Sequence, residues 1–213
     1  MNKDYIPVLS YSILTPIYDF FVVLLGYGKT HKITVINLLN LKSEDNLLDV
    51  GCGTGTLLTL AKEKYPNTDM IGVDIDSEVL SIARRKSQKA NLKIEYVEAS
   101  SAKLPFADES FNVVVSSLVF HHLPTDIKIQ TIKEIYRVLK RNGRFLLADF
   151  GKKEGATLYV FDFITKLLNL PESKTLQDNL KGNLPIYLND AGFKMSVVGK
   201  RYRGIEFLLA KKL

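Results

Sequence analysis

The sequence predicts an α/β protein in which a mostly parallel sheet is covered by helices on its faces, and three observations predict it. Short apolar runs bounded by turn residues alternate with longer stretches of helical spacing. Strands separated by helices in this way need parallel crossover connections. The run Phe111 to Ser117 is nearly continuous in β-branched residues, as expected of a strand buried on both faces. Finally, the apolar run Asn46 to Val50 leads straight into glycines at 51, 53 and 55 and then into a helical pattern beginning at Thr56.

In chain order, Thr15-Pro16 is a helix start signal, since proline suits the first helical position. Ile17, Tyr18, Phe20, Phe21, Leu24 and Leu25 then suggest a helix with an inward apolar face, and a second helix is expected from about Lys29 to Leu41. A strand over Asn46 to Val50 precedes the glycines, and Pro66 closes the helix that follows them. Met70 to Asp74 is an apolar strand ending in a carboxylate, and Asp76 or Ser77 caps the next helix, which carries Val79, Leu80, Ile82 and Ala83 on one face. Lys93 to Val97 alternates polar and apolar, the pattern of a half-buried strand. After the strand Phe111 to Ser117, a helix from about Thr125 to Lys140 shows Ile132, Ile135, Tyr136, Val138 and Leu139 at helical spacing. Asn142-Gly143 turns the chain into a strand over Arg144 to Phe150, asparagine tolerating the left-handed dihedrals of such a turn.

Residues 151–190 interrupt the alternation. Ala156 to Leu170 reads as an apolar helix ended by Pro171, and Thr175 to Lys181 as a shorter one before Gly182. Connections of this length in compact domains are often functional, which favours a lid over an apolar pocket. Lys194 to Lys200 and Ile205 to Ala210 read as two strands joined by a turn at Arg201 to Gly204.

The whole chain of 213 residues suits a single domain: a helical cap over 1–42, a core over 43–150, a helical insert over 151–190 and a closing hairpin over 191–213. With 46% hydrophobic and 24% charged residues it has the composition of a soluble globular protein. A single cysteine excludes an internal disulfide framework. Three histidines and one cysteine show no ligand spacing, so no metal is expected, and the adjacent His121 and His122 are expected to face different ways. The apolar run Phe20 to Leu25 is shorter than the ~20 residues that span a bilayer, and no secretory signal is evident, so a cytoplasmic location is expected.

A net charge of +6 invites an anionic partner, and the densest basic run is Arg84-Arg85-Lys86 with Lys89 and Lys93. No aromatic residues interleave there to stack bases. A solvated helix face is the simpler reading, and nucleic acid is not the expected partner.

The functional signal is concentrated between Leu47 and Asp74. Glycine lets the backbone turn sharply and lie against a ligand, while the helix that follows aims its free N–H groups forward. An acid about 20 residues past such glycines accepts hydrogen bonds from ribose hydroxyls in dinucleotide folds, and Asp74 has that spacing. The loop is Gly-x-Gly-x-Gly with Asp49 just before it.

In this the chain resembles the class I S-adenosylmethionine-dependent methyltransferases, most closely the small-molecule enzymes typified by those of ubiquinone and menaquinone biosynthesis. Gly72-Val73-Asp74, Leu104-Pro105-Phe106, Phe111-Asn112-Val113-Val114, Ser116 to Pro124, Arg137-Val138-Leu139-Lys140 and Gly143-Arg144-Phe145 continue the likeness in order. The resemblance implies a Rossmann-like three-layer sandwich with a seven-stranded sheet closed by an antiparallel C-terminal hairpin. It implies S-adenosylmethionine as cofactor, S-adenosylhomocysteine as product and a small-molecule acceptor.

Carried onto this sequence, Gly51, Cys52, Gly53 and Gly55 would lie along the cofactor's amino-acid and ribose parts, with Asp49 near its methionine end. Asp74 would hold the ribose hydroxyls, Ile75 would pack on adenine, Ser100 and Ser101 would sit at its edge, and Ser116 and Tyr18 would complete the set. The chain departs from the family at Ser100 and Asn112, where acids are usual, and at Arg141-Asn142, where proline precedes the glycine. His121 and His122 are the candidates for a general base if the acceptor must lose a proton. Two other readings stay open: a methyltransferase acting on RNA or protein, and a cofactor-binding module without turnover.

Overall fold

The computed structural model describes residues 28–154, 159 and 172–213. The expected N-terminal helix with Tyr18, and the helix expected over Ala156 to Leu170, lie outside the described residues. Among the described residues the elements are α1 (Lys29–Leu39), β1 (Asn46–Val50), α2 (Thr56–Lys64), β2 (Asp69–Asp74), α3 (Ser77–Lys89), β3 (Glu95–Glu98), β4 (Phe111–Ser117), a 3₁₀ turn (Phe120–His122), α4 (Thr125–Val138), β5 (Leu139–Phe150), α5 (Glu172–Lys181), α6 (Leu184–Asp190), β6 (Lys194–Val197) and β7 (Ile205–Lys211).

The seven strands form one sheet in the order β3-β2-β1-β4-β5-β7-β6. β1 to β5 run parallel, and β7 enters antiparallel to both β5 and β6. The strand period of two divides the core cleanly. Leu47, Val113, Val115, Leu146 and Ala148 face one layer with Val35, Leu39, Leu58, Leu80 and Leu176 of α1, α2, α3 and α5. Leu48, Val114 and Leu147 face the other with Ile132, Ile135 and Val138 of α4 and Leu184 and Leu188 of α6. The order reverses between β1 and β4, so a crevice opens at the carboxyl ends of those strands, where ligands bind in open α/β sheets.

Several motif residues that look functional turn out to hold the frame. Arg144 donates from Nε to the Leu39 carbonyl at 3.0 Å and meets Asp45 at 2.7 Å, tying the end of α1 to β5. Arg137 donates to the carbonyls of Leu104 and Phe106 and pairs with Glu134 and Asp108. Two separate sequence motifs are thus one hydrogen-bonded cluster. The Asn112 side chain accepts from the Asn46 N–H at 3.2 Å, a bond an acid could accept equally, so that departure from the family leaves the strand start intact.

Boundaries differ from expectation where backbone detail decides. β5 starts at Leu139, which pairs with Phe111 before a register shift. Asn142 has the expected left-handed φ of 62°, yet its N–H pairs with the Lys212 carbonyl, so the turn is a bulge inside the strand rather than its beginning. β6 ends at Val197, ahead of Gly199 with φ 71°. Helix α6 was not foreseen, since no element was assigned between Gly182 and Asp190; Pro185 sits in its first turn, where the missing N–H costs nothing.

Candidate functional site

The glycine loop is built by contacts that forbid side chains. Gly51 has φ 76°, and a Cβ there would come within 2.4 Å of the Val119 side chain. At Gly55, φ 70°, a Cβ would lie 2.6 Å from the Tyr96 hydroxyl and 2.9 Å from Ala83. The space beside Gly53 is different: its φ is 52° and, among the described residues, nothing lies within 4 Å of where a Cβ would stand. The loop is closed against protein at its two ends and open in the middle. Cys52 is buried, with its sulfur against the space a Cβ on Gly72 would fill.

Two carboxylates stand at the ends of β1 and β2. Asp74 accepts from the Gly53 N–H at 2.8 Å and from the Asp76 N–H at 3.1 Å. Burial pushes its carboxyl up, and those N–H groups pull part of the way back. Asp49 is 2% exposed, and its carboxyl is pushed up to about 7 by burial and by the neighbouring Asp74, with Lys32 of α1 opposing. No side-chain hydrogen bond to Asp49 occurs among the described residues. A buried carboxylate of this kind, beside an open loop, fits a cationic ammonium.

The remaining expected contacts are distributed unevenly. Asp76, not Asp74, caps α3, accepting from Glu78 and Val79 N–H groups. Ile75 is half-buried between the two acids. Ser100 accepts weakly from the Ala102 N–H at 3.3 Å, and the Ser101 hydroxyl lies 2.8 Å from that of Thr131. Ser116 is fully buried, and its hydroxyl donates to the Val50 carbonyl at 2.8 Å, so it ties β4 to β1 inside the sheet.

The turn after β4 carries strain and both histidines. Leu118 has φ 60°, an outlier for a bulky residue. Contrary to expectation, the His121 and His122 rings lie against each other, with centroids 3.9 Å apart, because the 3₁₀ turn folds them together. They differ in partners. His121 Nδ1 lies 2.9 Å from Asp149 Oδ1, and its ring meets Phe150 edge-on at 4.9 Å. His122 Nδ1 is buried with no hydrogen-bond partner among the described residues; burial, then the neighbouring His121, holds its pKa well below the usual histidine value.

Asp149 is the residue that the sequence reading missed. It is 2% exposed, and its Oδ2 accepts from the N–H groups of Val119 and Phe120 at 2.9 and 2.8 Å. Oδ1 also accepts from the Phe150 N–H at 2.8 Å and from Asn179 Nδ2 at 3.1 Å. Burial alone would raise its carboxyl; the His121 charge and hydrogen bond, the Phe150 N–H and His122 outweigh that and hold it below the usual carboxylate range. A signal existed: Leu146-Leu147-Ala148-Asp149 repeats the pattern of Met70 to Asp74, an apolar strand with an acid at its carboxyl end.

Helix α5 closes over this turn. The Thr175 hydroxyl donates to the His121 carbonyl at 2.6 Å, Asn179 reaches Asp149, and the fully buried Lys128 of α4 donates to the Thr175 carbonyl and pairs with Asp178 at 3.5 Å. From α1, His31 Nε2 lies 2.9 Å from the Ser117 hydroxyl. The end of β4 is therefore gripped from α1, β5 and α5 together.

Residues 47–143 match the model of a methyltransferase domain family. The chain is 32% identical over 142 residues to a demethylmenaquinone methyltransferase of Thermus thermophilus, covering 66% of this chain and 64% of that protein. It is 38% identical over 128 residues to a ubiquinone/menaquinone biosynthesis C-methyltransferase of Rickettsia prowazekii, covering 57% and 50%. The chain thus spans about half to two thirds of the length of these relatives. A solved structure of an S-adenosylmethionine-dependent methyltransferase from Aquifex aeolicus superposes with a TM-score of 0.67 at 21% identity, over 85% of this chain and 89% of that one, a likeness of fold.

Proposed function

We propose that this chain, whose residues 47–143 match the model of a methyltransferase domain family, binds S-adenosylmethionine and transfers its methyl group to a small, apolar or amphipathic acceptor. The observation that carries the reading is Asp49: a buried carboxylate without a hydrogen-bond donor among the described residues, raised toward neutrality and set beside a loop that the described residues leave open at Gly53. That arrangement suits the ammonium of the cofactor's amino-acid end. Asp74, already braced by two backbone N–H groups, keeps lone pairs for ribose hydroxyls. Quinone-type acceptors are named for the Thermus and Rickettsia relatives, and a ring of that kind is the acceptor class proposed here.

When bound, S-adenosylmethionine supplies a methyl group on a positively charged sulfur, an electrophile that needs only a nucleophile in line behind it. The chain's own part is to hold the two reactants and exclude water, which can lower a barrier by about 7 to 11 kcal/mol. Val119 fills the space where a Cβ on Gly51 would stand, so the cofactor loop and the turn after β4 pack directly against each other. The basic run that would favour a nucleic-acid acceptor is partly engaged within the fold: Arg84 donates to the Tyr96 carbonyl and Lys86 to Thr54 and Thr56.

Calorimetry with S-adenosylmethionine and S-adenosylhomocysteine tests the reading. Wild type is expected to bind both, and Asp74→Ala to lose at least tenfold in affinity, as when hydrogen bonds to a charged group are removed. Absence of binding to wild type would sink the proposal.

A further inference from the structure

We propose that the corner of the molecule formed by the start of α1, the segment after β5, the end of α5 and the turn between β6 and β7 is a docking face for an anionic lipid surface. This rests on the apolar acceptor proposed above and deepens it by naming the surface from which such an acceptor enters the crevice.

The four pieces are far apart in sequence and packed together in space. The Gly151 N–H donates to the Gly204 carbonyl and the Lys153 N–H to the Leu180 carbonyl, at 3.0 and 2.9 Å. These bonds join the segment after β5 to the β6–β7 turn and to the end of α5. From α1, the His31 ring stacks on Tyr202 with centroids 6.3 Å apart, and Leu38 lies 3.3 Å from where a Cβ on Gly199 would stand. Each piece brings cations. The start of α1 supplies Lys29 and Lys32, the segment after β5 Lys152 and Lys153, α5 Lys181, and the turn Lys200, Arg201 and Arg203. The two acids among them, Glu154 and Glu206, both pair with Arg201. Asp178, in the same turn of α5 as Lys181, faces α4, where it pairs with Lys128. Eight cations against two acids leave an excess of six, which is the net charge of the entire chain. The rest of the sequence is balanced, so the basic character of the composition belongs to this one corner.

Apolar side chains stand between the charges. Ile33, one turn after Lys29 on α1, is 42% exposed, and Tyr159 is 57% exposed with the Lys153 ammonium 4.2 Å from its ring centroid. Cations that reach headgroup phosphates, set beside apolar groups that enter the acyl boundary, are what an anionic bilayer surface binds. A nucleic-acid track would instead line a basic groove with aromatics that stack successive bases. The face also borders the crevice. His31 Nε2 meets the Ser117 hydroxyl at the end of β4 at 2.9 Å, and Lys32 lies close enough to Asp49 to oppose the rise of its carboxyl. A molecule leaving a bilayer at this corner therefore arrives at the carboxyl ends of β1 and β4.

The test is sedimentation of the full chain with vesicles of phosphatidylcholine alone and of an equimolar mixture with phosphatidylglycerol. Binding is expected to the mixed vesicles only, and to fall as salt rises. The triple variant Lys152→Gln, Lys181→Gln, Lys200→Gln is expected to bind them about a hundredfold more weakly, each lysine contributing about fivefold, or about 1 kcal/mol. A charge-matched variant, Arg85→Gln, Lys89→Gln, Lys93→Gln, removes exposed cations at the β3 edge of the sheet. That edge is about 24 Å from β7 at about 4.8 Å per strand, beyond the ~10 Å screening length, so binding is expected to stay within about twofold of wild type. No binding to the mixed vesicles, equal binding to both vesicle types, or equal losses in the two variants would overturn the proposal. So would binding of an RNA duplex that persists at a salt concentration where the mixed vesicles release the protein. Calorimetry keeps the two readings apart. Both variants are expected to keep wild-type affinity for S-adenosylmethionine; if neither that ligand nor S-adenosylhomocysteine binds wild type, the methyltransferase reading falls, and vesicle binding still decides this face.

Discussion

Lys86 on α3 places its ammonium 2.6 Å from the Thr56 hydroxyl and 2.7 Å from the Thr54 carbonyl. A helix that follows β2 therefore clamps the loop that follows β1. The glycines give the loop its freedom to turn, and this cation removes that freedom again by drawing the loop's far end onto the neighbouring helix. Lys86→Met keeps the aliphatic stem and loses the clamp. It is expected to lower stability by about 1 to 2 kcal/mol, a fall of about 2 to 8 °C in melting temperature, and to weaken cofactor affinity about tenfold. Urea unfolding and calorimetry check both numbers.

Gly51 and Gly53 separate strain from collision. Both have positive φ, but an added Cβ meets Val119 at 2.4 Å from Gly51 and nothing within 4 Å from Gly53. Gly53→Ala is expected to cost about 1 to 2 kcal/mol, the left-handed penalty for an L-residue. Gly51→Ala adds an overpacking cost of about 1 to 3 kcal/mol, and the double variant with Val119→Ala should recover part of that excess. Denaturant midpoints of the four proteins decide it; equal losses at the two glycines would contradict the contact.

Asp49 links stability to pH with a definite sign. Unfolded, the group titrates near about 3.9; folded, burial and Asp74 raise it to about 7. Between those values the folded state keeps a proton that the unfolded chain has released, so stability falls as pH rises through the window. Asp49→Asn removes the titration. Without cofactor, the variant is expected to exceed wild type by on the order of 2 kcal/mol at pH 8, with a smaller gain at pH 5. Its affinity for S-adenosylmethionine should drop at least tenfold, by loss of a charged partner. Urea unfolding at the two pH values is the measurement, and a gap that does not widen with pH contradicts the assignment.

Strand positions were legible because period and composition set them: β1 and β4 stand where the apolar runs place them, and their alternate residues divide between the two core layers. The glycine loop and the acids at 49 and 74 were legible for the same local reason. What was not legible depends on groups far apart in sequence. Asp149 reaches His121 across 28 residues, and nothing local to either announces the pair. Lys86 looked like part of a solvated basic face because helical spacing says which residues share a face and not what that face meets. The start of β5 was misplaced because Asn142 pairs with Lys212, a partner 70 residues on that no turn rule contains.

Arg137 offers a test of the loop between β3 and β4. Its guanidinium bonds the Leu104 and Phe106 carbonyls and pairs with Glu134 and Asp108, a fork that a lysine cannot reproduce. Arg137→Lys is expected to speed amide exchange across residues 100–110 at least tenfold, as local opening becomes easier. The global loss should stay near about 1 kcal/mol, because the side chain is partly exposed to solvent. Unchanged exchange in that segment would show that the cluster does not hold it.

The strand order has a consequence for how the chain is made. Among the described strands β6 joins the sheet through β7 alone, yet β7 is synthesised after it. On a ribosome, residues 194–197 emerge before the strand they pair with, and the β5 edge that β7 will occupy stays unpaired until residues 205–211 follow. The nascent chain therefore carries an open parallel sheet with an apolar, hydrogen-bond-hungry margin for as long as that takes. Closure is a late insertion of one strand between two others, and a chaperone that shields a β-strand edge would find its target there.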